Sequence, residues 1–491
     1  MQNREYIKTK KLKEMQENPR FLKRVLIGIF AFYCAFVVLF YFLTGDQLIY
    51  RESRGEQEMP AATAGTVELY QGSDVTQYFM TGVQRLDSVS VLWGTYYRAN
   101  AGTVTVELLR TDTGEVLMSG QFAAVDIPEG GTTTIYAQQP IEGLPGVELA
   151  LHITADSAPG EAVSPLMDAE NPSTGGLWLN GEQTTGLLCF STAGTDYIRA
   201  GLHYWQLVSI VGAVLLAVLV FAWNRYQRGR QDILADAILA VKKYRFLIKQ
   251  LVSRDFKTKY KRSVLGVFWS FLNPLLTMTV QYFIFSTIFK SDIEYYPAYL
   301  LVGIVSFNFF NEACGMGLMS IIGNSGLITK VYMPKYIYPL TRVMSSVVNL
   351  AISLIPLIIV SMFTGVHFRK SALLALYFLV CLILFTLGVV LLLSAAMVFF
   401  RDVQFLWNVI SMIWMYATPL FYPETILPDQ FKFVLQINPL YHIIKAERTC
   451  ILGGVSPDPV VYVQCLLMAL AALLIGALVF KKTQNKFVLF L

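Results

Sequence analysis

Between Val25 and Leu43 the chain runs for 19 residues without a charged side chain. The hydrocarbon core of a bilayer is about 30 Å thick and takes about 20 helical residues to cross, so this run reads as a membrane span. Comparable apolar runs recur at 205–223, 265–289, 298–320, 340–364, 372–398, 404–421 and 458–480. The expected fold class is therefore an α-helical polytopic membrane protein of about eight spans. Composition agrees: 55% of the 491 residues are hydrophobic and 15% are charged, too much apolar surface for a soluble chain to bury.

Lysine and arginine concentrate on the cytoplasmic side of membrane proteins, which orients the spans. Residues 1–24 hold eight of them, from Arg4 to Arg24, and form a basic cytoplasmic N-terminus. The first span, 25–43, resembles a signal sequence in its charged start. It is longer than an ordinary signal core and no clean A-x-A site follows it, so it is expected to stay as an anchor. Arg225, Arg228 and Arg230 after the second span, 203–223, return the chain to the cytoplasm. Lys330, Lys335, Arg401 and the tail lysines Lys481, Lys482 and Lys486 keep later inner loops and both termini there, whereas Arg369 and Lys370 fall outside, against the rule.

The block between these two spans, 44–200, has another texture. From Gly45 to Ala200 there are no lysines, six arginines and 20 Asp and Glu, a balance of −14, which suits neither nucleic acid nor anionic lipid. Apolar runs give way to period-two alternation with turn residues about every ten positions. In Thr103–Arg110, Val104, Val106 and Leu108 alternate with polar residues, and Asp112-Thr113-Gly114 turns the chain into a second strand. Val147, Leu149, Leu151 and Ile153 share a face in the same way, and further strands are expected at 88–97, 132–137, 177–180 and 186–191. Seven or eight short strands predict an extracytoplasmic all-β sandwich. Trp93, Tyr96, Tyr97, Trp178 and Tyr78 invite a sugar-binding reading because aromatic faces stack on sugar rings, although a sandwich Trp more often belongs to the core. Six scattered cysteines without CxxC spacing point to apolar packing rather than to a metal site or disulfide framework.

In Leu247–Pro274, LIKQLVSRDFKTKYKRSVLGVFWSFLNP, a basic amphipathic segment runs directly into the third apolar stretch. At 100° per residue Val252, Phe256, Tyr260 and Val264 fall on one stripe and Arg254, Lys257 and Lys261 on another. Residues 224–263 are thus expected to be a cytoplasmic linker and surface helix ahead of a six-span core, 264–491. Within that core Glu312 beside Asn308 and Asn311 is the main polar cluster. An ionisable group at membrane depth is costly unless it faces water or a partner, so the cluster is expected to line a pathway.

The basic segment with its exit Leu265-Gly266-Val267-Phe268-Trp269 and Asn273-Pro274, the loop NSGLITKVYMPKYIYP at 324–339, the Phe400-Arg401-Asp402-Val403 corner and Asn438-Pro439-Leu440 together resemble a known family. It is the permease subunit of type-2 ABC exporters, in the branch that moves lipid-linked polysaccharides such as O-antigens and teichoic acids. The resemblance covers about residues 240–491 and leaves the first 230 residues as an addition. It implies a homodimer around a translocation pathway, seated on two separate ATP-binding subunits that hold the ATP and Mg, and an undecaprenyl-type lipid-linked glycan as substrate in a bacterial plasma membrane. It also implies no catalytic residues, no metal, no cofactor and no nucleic acid for this chain. The absence of any Gly-Lys dipeptide, and so of a phosphate-cradling P-loop, agrees.

The resemblance assigns roles to residues. Leu327, Ile328, Lys330, Val331, Tyr332 and Lys335 would form the coupling contact with the ATPase. Arg254, Lys257, Tyr260, Lys261 and Arg262 would form an interface helix and inner gate, its cations facing the pyrophosphate of the substrate. Asn308, Glu312, Tyr282, Phe307, Phe310, Trp407, Trp414 and Tyr416 are candidates for pathway lining, their rings for stacking on sugars. Residues 419–454, too polar for a span, would form two short re-entrant helices at an outer gate with Phe421, Tyr422, Asn438 and Tyr441. Weighed against this reading are an exporter of drugs or ordinary lipids, a membrane glycosyltransferase and an envelope sensor.

Overall fold

The computed structural model describes residues 19–54, 59–170, 176–229, 233–289, 293–328 and 333–490. The chain forms two compact units, residues 48–203 and the remainder of the chain on either side of that block.

The inserted unit is all β. One sheet runs in the order β1 (Tyr50–Arg54), β13 (Phe190–Tyr197), β4 (Arg85–Gly94), β9 (Ser164–Asp168), β12 (Leu187–Leu188), with β7 (Thr132–Glu142) also on β4 and β2 (Ala64–Gly65) also on β9. The other runs β11 (Glu182–Thr184), β10 (Leu177–Leu179), β3 (Asp74–Met80), β8 (Glu148–Ala155), β5 (Thr103–Arg110), β6 (Val116–Ala123). Every ladder between named strands is antiparallel. The alternation read from β5 is what the fold uses: Val104, Val106 and Leu108 are buried and meet Val89, Val91 and Phe190 of the opposite sheet in one core. Phe79 and Phe190 join the two sheets edge to face at 4.8 Å between centroids. Among the described residues thirteen strands replace the seven or eight expected, because strands of two or three residues such as β2, β11 and β12 are too short to show a period.

The second unit is helical: α1 (Pro19–Thr44), α2 (Tyr204–Gln227), α3 (Ile233–Lys259), α4 (Phe268–Phe289), α5 (Tyr296–Leu318), α6 (Ile337–Phe363), α7 (Ala375–Phe399), α8 (Val403–Tyr416), α9 (Lys432–Ile437), α10 (Pro439–Ile451) and α11 (Pro459–Thr483), with single turns between some of them. Among the described residues six helices are long and apolar enough to cross a membrane: α1, α2, α5, α6, α7 and α11. Two expected spans fall short of that measure. The helix α4 has 22 residues, but Asn273, Thr277, Thr279 and Gln281 dilute its apolar character. The 14 residues of α8 reach only about 21 Å.

Packing places α5 at the centre, buried against α4, α6, α7 and α10. Gly388 of α7 and Gly476 of α11 let those helices touch backbone to backbone; a Cβ on Gly476 would lie 2.1 Å from the Gly388 carbonyl oxygen. The added pair α1 and α2 is tied by Tyr204 Oη donating to Val37 O at 2.7 Å, and it rests on the core through Phe36 against Tyr377 and Phe40 against Tyr462. The surface helix α3 buries Ile248 and Leu251 against Ile337, Tyr338, Phe480 and Phe487. It ends at Lys259, and Arg262 follows at φ +64°. Val264, expected on its apolar stripe, therefore lies beyond the helix and is fully exposed.

Candidate functional site

The end of α3 meets α5 and α6 in a connected set of polar side chains. Lys259 Nζ lies 2.8 Å from Glu312 Oε2, and Asn349 Nδ2 donates to Glu312 Oε1 at 2.6 Å. Tyr260 Oη donates to Asn349 Oδ1 at 3.1 Å and also meets Ser270 Oγ at the start of α4. One turn back, Asp255, with a side chain 6% exposed, pairs with Arg342 of α6 at 2.8 Å and with its neighbour Arg254 at 3.2 Å. Arg254 also donates to Asn324 Oδ1 at 3.3 Å, reaching the loop after α5. A basic surface helix is thus locked to two core helices, α5 and α6, by paired charges and to α4 by a hydroxyl contact rather than lying free.

On its solvent side α3 lines an open depression of about 490 Å³ with Gln250, Ser253, Arg254, Lys257, Thr258 and Lys261. Lys257 and Lys261 are exposed, so two cations face this space and a third borders it. Arg262 is exposed at the left-handed turn that follows.

The helix α5 carries the second element. Only Asn308, Asn311 and Gly315 of its 23 residues are exposed, with Glu312 half-buried among them. Their spacing of three to four residues puts them on one face. Amide side chains turned to hydrocarbon are costly, so this narrow polar stripe on an otherwise buried helix must face water or another chain.

Several expected lining residues are elsewhere. Phe310 is completely buried and Phe307 and Trp407 nearly so; Phe310 packs on Phe385, Trp407 and Trp414, so these rings are core and do not line a path. Trp414 is half-buried and donates through Nε1 to Asn438 Oδ1 at 2.8 Å. Tyr282 and Tyr416 are exposed.

In the 324–339 loop Leu327 is exposed, while Ile328 packs on the cluster around Ile248. Lys335 Nζ donates to Gln484 O at 2.6 Å, so this lysine ties the loop to the C-terminal segment instead of extending outward. Lys330, Val331 and Tyr332 lie outside the described residues.

The two short helices expected in 419–454 are α9 and α10, joined at Asn438, whose Oδ1 caps α10 at the Leu440 N–H. Asn438 Nδ2 also holds Thr418 Oγ1 at 2.8 Å. Phe421 is buried against Phe285, its carbonyl accepting from Tyr296 Oη at 2.7 Å; Tyr422 O accepts from Tyr299 Oη at 3.1 Å. Tyr441 and Lys445 converge on Glu424, the lysine at 2.8 Å. Sequence reasoning missed Arg448, which donates to the carbonyls of Tyr299, Pro419 and Leu420 and stacks on the Tyr299 ring. The signal was a Glu-Arg pair on a helix whose other inward positions are apolar.

In the β unit Trp93 is fully buried and donates to Thr133 Oγ1 at 2.8 Å, so it is a core residue and cannot stack on a sugar. Trp178 and Tyr78 form a half-buried edge-to-face pair on the β3/β10 side. Tyr96 and Tyr97 leave β4 after Gly94 and sit in an exposed turn.

A bundle of apolar helices with a polar stripe on its central helix and a charge-locked basic helix at its margin is the architecture of a multi-pass membrane protein. The chain belongs to the ABC-2 type transporter family, which it matches over residues 246–452. Two O-antigen export system permease proteins RfbA of Klebsiella pneumoniae are 28% identical over 248 residues (49% of this chain, 93% of the relative) and 30% identical over 210 residues (42% and 81%). The polysialic acid transport protein KpsM of Escherichia coli is 23% identical over 247 residues (48% and 93%). The chain is accordingly a transporter permease subunit, and residues 1–245, including the β unit, lie outside the family match.

Proposed function

We propose that this chain is the membrane subunit of an ATP-driven exporter that carries a lipid-linked polysaccharide, of the O-antigen or teichoic acid kind, across a bacterial plasma membrane. The observation that carries the reading is the stripe Asn308, Asn311, Glu312 and Gly315 on α5, polar where the rest of the helix is apolar and buried. Two copies placing such stripes face to face would enclose a hydrated path for a glycan, so the working form is a homodimer. The names of the relatives favour polysaccharide over drug or ordinary lipid as cargo.

ATP and Mg are assigned to a separate ATP-binding subunit that contacts Leu327 and its loop together with α3. The depression lined by Arg254, Lys257 and Lys261 suits the pyrophosphate of an undecaprenyl-type carrier, because ammonium and guanidinium groups pair with phosphate oxygens. In this arrangement both termini are cytoplasmic and the β unit is outside, where it contacts the emerging glycan. The test is co-purification and turnover. The full chain should bring down an ATP-binding protein whose hydrolysis rises when a pyrophosphate-linked lipid glycan is added. Failure to recover any ATP-binding protein in a stable complex would defeat the proposal.

A further inference from the structure

One turn of the β unit has a costly backbone. Thr95–Arg98 form a reverse turn closed by the Arg98 N–H donating to Thr95 O at 3.3 Å, with Tyr96 at φ +56° and Tyr97 at φ +53°. Two consecutive left-handed residues define a type I′ turn, which Asn-Gly satisfies and two tyrosines enter only against steric resistance.

The surroundings hold the turn in place. Glu129 Oε2 accepts from the Thr95 N–H at 2.6 Å, from Thr95 Oγ1 at 2.7 Å and from the Tyr97 N–H at 3.3 Å. Buried Asn100 donates to Thr95 O at 3.1 Å, and Arg98, paired with Glu68 at 2.6 Å, lies 4.9 Å over the Tyr96 ring. Strain that the neighbouring structure over-determines is found where a site is pre-organised.

What the strain achieves is display. Tyr97 is 89% exposed and Tyr96 48%, although Trp93, two residues before the turn, is wholly buried. A ring 89% exposed, on a turn held from several sides, is a platform for a flat apolar ligand face and loses little entropy when covered. A pyranose has such a C–H face and also hydroxyls to donate to a carboxylate, and exposed Glu129 is bonded to the turn itself. With a balance of −14 over residues 45–200 the unit repels polyanions, teichoic acids among them, so of the two kinds of cargo the site suits the O-antigen kind, and its ligand is an uncharged or amino-bearing sugar.

Resting on the reading of the β unit as a contact for the exported glycan, we infer that the Tyr96–Tyr97 turn is a binding site for neutral or amino-sugar pyranoses. Tyr97 is the stacking platform and Glu129 the hydroxyl acceptor. The test is calorimetric titration of the full chain in zwitterionic nanodiscs with mannan, galactan and partly deacetylated chitin oligosaccharides and with polysialic acid. At least one of the first three should bind saturably and polysialic acid should not.

Tyr97→Gly separates function from structure. Glycine favours the left-handed turn, so this variant should melt no lower than the native protein while affinity falls at least about tenfold; Tyr97→Trp should bind. Loss of stability in Tyr97→Gly would make the ring structural and overturn the inference. Binding that survives Tyr97→Gly but is lost in Trp178→Ala would move the site to the other sheet and leave the glycan-contact reading standing. Binding of none of the neutral or amino glycans would remove both.

Discussion

Lys259 at the end of α3 and Glu312 in the middle of α5 form an ion pair at 2.8 Å, and the second carboxylate oxygen of Glu312 is held by Asn349 of α6 at 2.6 Å. The pair is partly exposed, at 37% and 29% of the side chains, so it adds no more than about 1 kcal/mol to stability. Its consequence is mechanical: the helix that would meet an ATPase is wired to the helix that carries the polar stripe. Glu312→Gln should lower export at least about fivefold, the small end of the usual range of coupling between sites. Its thermal midpoint should move by no more than a few degrees. The charge swap Lys259→Glu/Glu312→Lys should recover part of the loss, and export unaffected by either single variant would break the link.

Phe310 and Asn308 lie two residues apart on α5 and should behave oppositely. Phe310→Ala empties a site packed by Phe385, Trp407 and Trp414 and should cost about 3–5 kcal/mol, seen as a lower melting temperature in detergent. Asn308→Ala removes an exposed amide and should change stability by less than about 0.5 kcal/mol.

The contact between α7 and α11 depends on two glycines. Gly476→Ala would set a Cβ 2.1 Å from the Gly388 carbonyl oxygen, and the helices must part, at a cost of about 1–3 kcal/mol. Gly28→Ala on α1, with nothing within 4 Å of the new Cβ, should be neutral or slightly stabilising. Comparing the two melting curves checks the packing directly.

In the β unit the Arg98 hydrogen bond holds the Glu68 carboxyl below its ordinary value of 4.5, and the Thr95 hydrogen bonds do the same for Glu129. A carboxylate whose folded pKa is depressed adds stability that is present above about pH 4.5 and is lost as pH falls through the folded value. The β unit should therefore loosen in acid below about pH 4.5, and Glu68→Gln should flatten that part of the profile when β-sheet signal is followed against pH.

The parts of this fold that were legible in sequence were those with a period. The run Val25–Leu43 lies within α1, and the alternation of Val104, Val106 and Leu108 predicted β5 and its inner face. Tertiary choices were not legible. Phe310 and Asn308 are both plausible lining residues until α7 and α8 cover one of them, and Trp93 looks like a sugar platform until β7 brings Thr133 to its indole. The polar lock at Glu312 needed Asn349 and Lys259, 37 and 53 residues away, and no local pattern links such positions. Strand 88–97 ended early, at Gly94, because a left-handed Tyr-Tyr turn runs against every turn preference.

The most direct measurement is surface glycan on cells that lack the native protein and express Asn308→Leu/Asn311→Leu at native level. Leucine on the α5 stripe keeps the helix but removes its polar face. The account predicts at least about a tenfold loss of surface glycan, with the lipid-linked precursor accumulating on the cytoplasmic side, and recovery when the native chain is restored. Native levels of surface glycan in the double variant would contradict it.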